Sequence, residues 1–164
     1  LRKDISAHHR AYILAQDIES WAKTNVHKDF FLGKVILDWS TKRTSSRGGL
    51  YRSGPGINIA MATSFPDNKS QVYRFYEYRS YDSDSIIGGF YSANPYHKLR
   101  AIVAHEMAHA IQFFMYNKTG SRCKPHGPVF KKYYKELREE FVNKDLPNQK
   151  QLASAYLDYI NKPQ

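Results

Sequence analysis

Cysteine is almost absent from this chain: Cys123 is the only one in 164 residues. A single thiol forms no internal disulfide and no four-cysteine zinc ribbon, so the reading excludes disulfide-stapled folds and expects a reducing, intracellular compartment (cytoplasm, nucleoid or nucleus), not secretion. Long apolar runs are also missing; stretches such as Ala101 to Ala104 fall far short of a membrane span, so a soluble protein with no membrane partner is expected. No charged and then apolar stretch opens the chain as a signal peptide would, although Leu1 stands where an initiator methionine is usual. Acidic residues are scarce beside basic ones, 15 against 25, and the net charge of +10 favours polyanionic partners by long-range attraction. Repeats, low-complexity tracts and linker-like segments are absent too. One domain over 1–164 is expected, with a core at about 4–143 and a helical extension at 144–164, and a monomer. A chain of this length buries about 70% of its unfolded surface, so it needs no disulfides.

What is present reads as a mixture of helices and short strands. Ile5, Tyr12, Leu14, Ile18 and Trp21 recur loosely at helical period between Asp4 and Val26. Val35, Leu37 and Trp39 alternate as one face of a strand, and Gly48 to Arg52 and Gly56 to Thr63 read as two more, the three forming a small antiparallel sheet. The segment from Phe65 to Ala93 is rich in tyrosine and reads as either a strand or a mobile insert. Asn94-Pro95 begins a helix to about Asn117, and Pro128 begins another along Phe130, Tyr133, Leu137 and Phe141. A last helix is expected from Gln149 to Asn161. The fold class is α+β.

The chemistry lies in His105-Glu106-Met107-Ala108-His109. Residues four apart share one face of a helix, so both imidazoles can reach one metal ion, and zinc is the expected ion because it accepts neutral imidazole with a position left for water. Glu106 is then placed to take a proton from that zinc-held water as it attacks a peptide carbonyl. The ordinary alternative, a polar stripe on a helix, conflicts with the flanking Ile102, Val103, Ala104, Ala108, Ala110, Ile111 and Phe113, since burying unsatisfied polar groups costs about 1–3 kcal/mol each. Gln112 and Met115 occupy the places where a metzincin has glycine and histidine. Glu136, Glu139 and Glu140 are possible third ligands; Glu139 and Glu140 read better as solvated partners of Lys135 and Arg138. His126, just before the Gly127-Pro128 helix start, is the favoured third ligand. Tyr133, Tyr134 and His97 are near enough in sequence to assist at the carbonyl oxygen, with none preferred.

The pair of segments His105 to His109 and His126-Gly127-Pro128-Val129-Phe130 resembles the SprT-like zinc metallopeptidases, the family of the Spartan-type DNA–protein crosslink proteases. The likeness extends over about Asp4 to Phe141, including the strands before the motif helix. It implies a minimal zincin-like domain: an N-terminal helix, a small antiparallel sheet, an active-site helix and a following helix. It also implies one zinc ion per chain on His105, His109 and His126, with Glu106 as general base, and cleavage of DNA-bound proteins. Family members commonly continue into a cysteine-containing zinc ribbon, whereas these residues hold only Cys123, so either the DNA contacts are built into this domain or another segment supplies them.

For DNA, single-stranded by preference, the candidate contacts are Lys42, Arg43, Arg47 and Arg52, a basic cluster without an acid, and Arg74 and Arg79 among tyrosines that can stack on unpaired bases. An exposed charged hairpin and a packed tyrosine face are the plain alternatives. Lys131, Lys132, Lys135 and Arg138 alternate with glutamates and read as a solvated helix face. A peptidase with a dedicated protein target, or a basic binding module with an inactive metal site, are the competing functions.

Overall fold

The structure is a computed structural model that describes residues 5–40, 47–50, 56–62, 71–119 and 124–162. Four helices and two small sheets make an α+β fold. In chain order these are α1 (Ile5–Asn25), β1 (Lys34–Ser40), β2 (Arg47–Leu50), β3 (Gly56–Ala62), β4 (Tyr73–Phe75), β5 (Phe90–Ser92), α2 (Pro95–Thr119), α3 (Pro128–Phe141) and α4 (Gln149–Ile160). Single 3-10 turns at Arg79–Tyr81 and Asn143–Asp145 complete the described elements.

The centre of the molecule is α2. Leu99, Ala101, Val103, Ala104, Met107, Ala108 and Ile111 are all buried, so the helix is covered nearly all round and its polar residues have to be satisfied within the protein. Its start follows local chemistry: Asn94 Oδ1 accepts from the Tyr96 N–H at 2.9 Å, and Pro95 occupies the first helical position, where its missing N–H costs nothing. Helix α1 packs against it through Ala7, Ala11, Leu14, Ala15, Ile18 and Ala22. Small side chains dominate that stripe, whereas Tyr12, counted with the apolar face in the sequence, is exposed.

The first sheet is mixed, which corrects the expectation of an antiparallel one. Its order is β1-β3-β2: β2 pairs antiparallel with β3, Leu50 opposite Ile57, while β1 lies parallel to β3, Val35 opposite Ile57 and Trp39 opposite Met61. Sequence alternation marks the faces of a strand but not the direction of its neighbour. With β2 on one edge of β3, β1 takes the other, and two reversals of the chain make it run the same way as β3. β2 and β3 approach the backbone of α2, so the sheet flanks the motif helix.

Tyr73 to Ser92 is a folded unit. β4 and β5 pair antiparallel, Tyr73 opposite Ser92 and Phe75 opposite Phe90, with the two phenylalanine rings stacked at 4.8 Å. The chain between them is anchored to α3 by Arg138, which is 1% exposed and therefore not part of a solvated face. Its guanidinium donates to Gly88 O at 3.0 Å, Tyr134 Oη at 3.1 Å and Asn143 Oδ1 at 3.1 Å. Gly88 is required there, because a Cβ would stand 2.6 Å from Asp84 O. Lys135 likewise turns from Glu139 to Asp84, at 2.9 Å.

Asp84 also accepts from the Ile86 and Ile87 N–H groups at 2.8 and 3.0 Å. Partial burial alone would raise its carboxyl, but hydrogen bonds from Lys135 and from the Ile87 and Ile86 backbone outweigh that and bring the pKa down to about 2. A depressed folded-state pKa contributes stability above the unfolded value and loses it as pH falls through the folded one. Asp84→Asn is expected to cost about 1–2 kcal/mol at pH 7, with the difference from wild type shrinking between about pH 4 and pH 2. Urea denaturation of both proteins at pH 7 and pH 2.5 checks it; a difference independent of pH would contradict it.

Candidate metal centre

His105 and His109 stand one turn apart on α2 and project to the same side, where His126 meets them from two residues before the start of α3. Each offers a ligating atom, and these lie within 4.8 Å of one another. His109 Nε2 is 3.0 Å from His126 Nε2, and His126 Nε2 is 3.3 Å from His105 Nε2. Zinc bound at about 2.05 Å from each nitrogen in tetrahedral array would hold them about 3.3 Å apart, so the donor set fits such an ion.

The far side of two imidazoles is committed. His105 Nδ1 lies 2.6 Å from Glu77 Oε2, and His109 Nδ1 lies 3.3 Å from Gln112 Oε1. Those oxygens accept a hydrogen bond from Nδ1–H, which leaves Nε2 with its lone pair for a metal. Gln112 also donates to Lys124 O at 2.8 Å and so ties α2 to the segment carrying His126. Phe130 stacks on His109 at 4.3 Å and packs on His105 and His126 at 4.9 and 5.0 Å, filling the space beneath the three rings.

Electrostatics agree with the geometry. Burial, aided by the neighbouring His105, pushes His109 down to about 4, and burial and His105 also lower His126, so neither competes for protons at pH 7. Glu106 is 4% exposed. Burial raises it to about 7 against the opposing pull of His105, with the charge of Glu77 adding to the rise. Its Oε2 has no hydrogen-bond partner among the described residues. A buried carboxylate with one oxygen left open, and the other 3.9 Å from His105 Nε2, suits a proton-transferring group.

A model of the SprT-like family matches residues 83–151. Over this segment the chain is similar to the SprT-like family. No curated protein and no solved structure matches it. The matched segment holds Glu106 and all three histidines, and the family it resembles, generally metallopeptidase-like, accords with a metal-dependent protease. The match is shorter than the likeness expected from Asp4 to Phe141 and leaves the first sheet outside it. Glu77 also lies upstream of residue 83.

Glu77 is the residue that sequence reasoning missed. It sits within the tyrosine-rich segment, 28 positions before His105, and no spacing rule links the two. Its Oε1 accepts from the fully buried Tyr134 hydroxyl, and Arg138 Nη1 lies 3.8 Å away. The Tyr134 hydroxyl is thereby committed to Glu77 and Arg138, while His97 Nδ1 is 2.7 Å from Ser92 Oγ just before the start of α2. The glutamates weighed as third ligands are outside the cluster. Of the expected DNA contacts, Lys42, Arg43 and Arg52 lie outside the described residues, and Arg47 lies on β2. Arg74 is bonded to Asp82 at 3.0 Å and Arg79 is exposed on the 3-10 turn.

Replacing a carboxylate that orients a metal-ligating histidine typically costs 10–100-fold in metal affinity. Glu77→Gln is therefore expected to weaken zinc binding by about that factor while the fold is kept. Competition with a chromophoric chelator, alongside far-ultraviolet circular dichroism, checks it; unchanged affinity would contradict the role.

Proposed function

We propose that the chain is a zinc-dependent endopeptidase acting on proteins bound or crosslinked to DNA. The observation that carries the hydrolytic reading is Glu106, a buried carboxylate with a pKa of about 7 immediately after the first histidine ligand, with one oxygen unpartnered among the described residues. A purely structural metal site has no use for a carboxylate there. Zinc is the ion favoured by three neutral imidazoles. Bound by His105, His109 and His126, it supplies the Lewis acidity that polarises a carbonyl and acidifies water.

The protein's own groups do the rest. Glu106 takes the proton of the attacking water and returns it to the leaving amine nitrogen as the peptide C–N bond breaks. A pKa near neutrality suits both transfers. Glu77 and Gln112 keep His105 and His109 in one tautomer and one orientation, and Phe130 keeps the floor of the site dry.

The DNA-directed part rests on the net charge of +10, the cationic residues named above and the family likeness. Arg79 is exposed next to Tyr78, and Arg74 lies 5.2 Å from the exposed ring of Tyr76, a pairing that suits stacked bases beside a phosphate. The ion pair of Arg74 with Asp82 favours a second reading, a peptidase with a dedicated protein target, because it neutralises one of those cations.

Zinc-loaded protein is to be incubated with a lysine-rich histone, with and without single-stranded DNA. Cleavage is expected to need DNA and to weaken steeply as salt rises. Glu106→Gln is expected to lower it about 10²–10⁴-fold with zinc content unchanged. Cleavage indifferent to DNA and salt would favour the dedicated-target reading; full activity of the Glu106→Gln variant would overturn the peptidase mechanism.

A further inference from the structure

A peptidase of this kind gains from a hydrogen-bond donor aimed at the oxygen on which charge develops. Among the described residues one side chain outside the ligand set and Glu106 brings a hydroxyl to the metal-facing nitrogens. Tyr78 Oη lies 3.4 Å from His126 Nε2, its one hydrogen-bonding neighbour among the described residues. The Tyr78 ring meets His126 at 5.3 Å, edge to face, and lies 6.4 Å from His105. With His126 Nε2 turned to a metal, the nitrogen carries no proton and its lone pair is engaged, which releases the hydroxyl toward the neighbouring space where a substrate carbonyl would sit.

The placement is built in from both sides. Glu77, the residue before, is held by His105 and Tyr134. Tyr78 O accepts from the Tyr81 N–H at 2.9 Å, closing the 3-10 turn that follows, and the buried Tyr81 ring supports Tyr78 at 5.0 Å. Yet Tyr78 itself is 42% exposed, so a polypeptide can reach it. The same short segment thus carries a carboxylate behind His105 and a phenol in front of His126.

We propose that Tyr78 is a catalytic residue whose hydroxyl donates a hydrogen bond to the carbonyl oxygen of the scissile peptide. This rests on the peptidase reading. As water adds to the carbonyl carbon, the C=O π pair moves to oxygen, Glu106 holds the water proton, and the Tyr78 O–H stabilises the oxygen without giving up its proton. When the C–N bond breaks, the pair returns to re-form C=O, the proton passes from Glu106 to the amine, and the phenol is unchanged.

Two readouts test it on Tyr78→Phe, which keeps the ring and its packing. Histone cleavage should fall about 10²–10³-fold in kcat with KM little changed, the loss usual for one such donor. Independently of turnover, a phosphinic peptide, whose tetrahedral phosphorus oxygens imitate the charged oxygen, should bind the zinc-loaded variant at least tenfold more weakly, while zinc affinity stays within about twofold. Equal inhibitor binding by wild type and variant would overturn the proposal. A matching fall in zinc affinity would also overturn it, by making Tyr78 a metal ligand. If the wild type binds zinc and the inhibitor but cuts no protein, the peptidase reading fails while the inhibitor comparison still decides the role of Tyr78.

Discussion

The contact between Glu77 and His105 is the constraint on which the rest of the site depends. One carboxylate reaches an imidazole on α2, the Tyr134 hydroxyl on α3 and the neighbourhood of Arg138, so three separate parts of the chain meet at a single partly buried side chain. Arg138 then extends the connection to Gly88 and Asn143, closing the tyrosine-rich segment against α3. Burying a carboxylate and a guanidinium is costly unless both are fully bonded. Here the cost is offset by geometry that also fixes which nitrogen of His105 is left for a metal.

That arrangement explains why α2 can be a core helix and carry the chemistry. A helix buried all round has no water to satisfy two histidines and a glutamate. His105 is satisfied by Glu77, and His109 by Gln112, while the inward nitrogens converge and Glu106 stays poised with a raised pKa. Burial and reactivity have a common origin: the low-polarity surroundings that keep Glu106 protonatable near neutrality also keep His109 and His126 neutral.

Much of this was legible in the residues, because the signals were local. Asn94-Pro95 and Gly127-Pro128 marked helix starts, and the i, i+4 pair of histidines marked a shared face; the family match over 83–151 covers the same stretch. The cluster of nitrogens able to hold a metal does include His126. What stayed hidden was non-local. Glu77 and Tyr78 touch groups 28 and 48 positions away through a hairpin whose path has no local signature. Arg138 looked like one more cation in a mixed-charge helix, and its burial depends on where the carbonyls of residues 87 and 88 fall. The parallel pairing of β1 with β3 was missed for a related reason, since alternation is blind to strand direction.

The most direct test of the central claim, a three-histidine metal centre preassembled by the fold, is X-ray absorption at the zinc edge on stoichiometrically loaded protein. The account predicts one zinc per chain with three imidazole nitrogens at about 2.0–2.1 Å, and a spectrum that loses one imidazole when His126 is replaced by alanine. A shell containing sulfur, or one unchanged in His126→Ala, would contradict it.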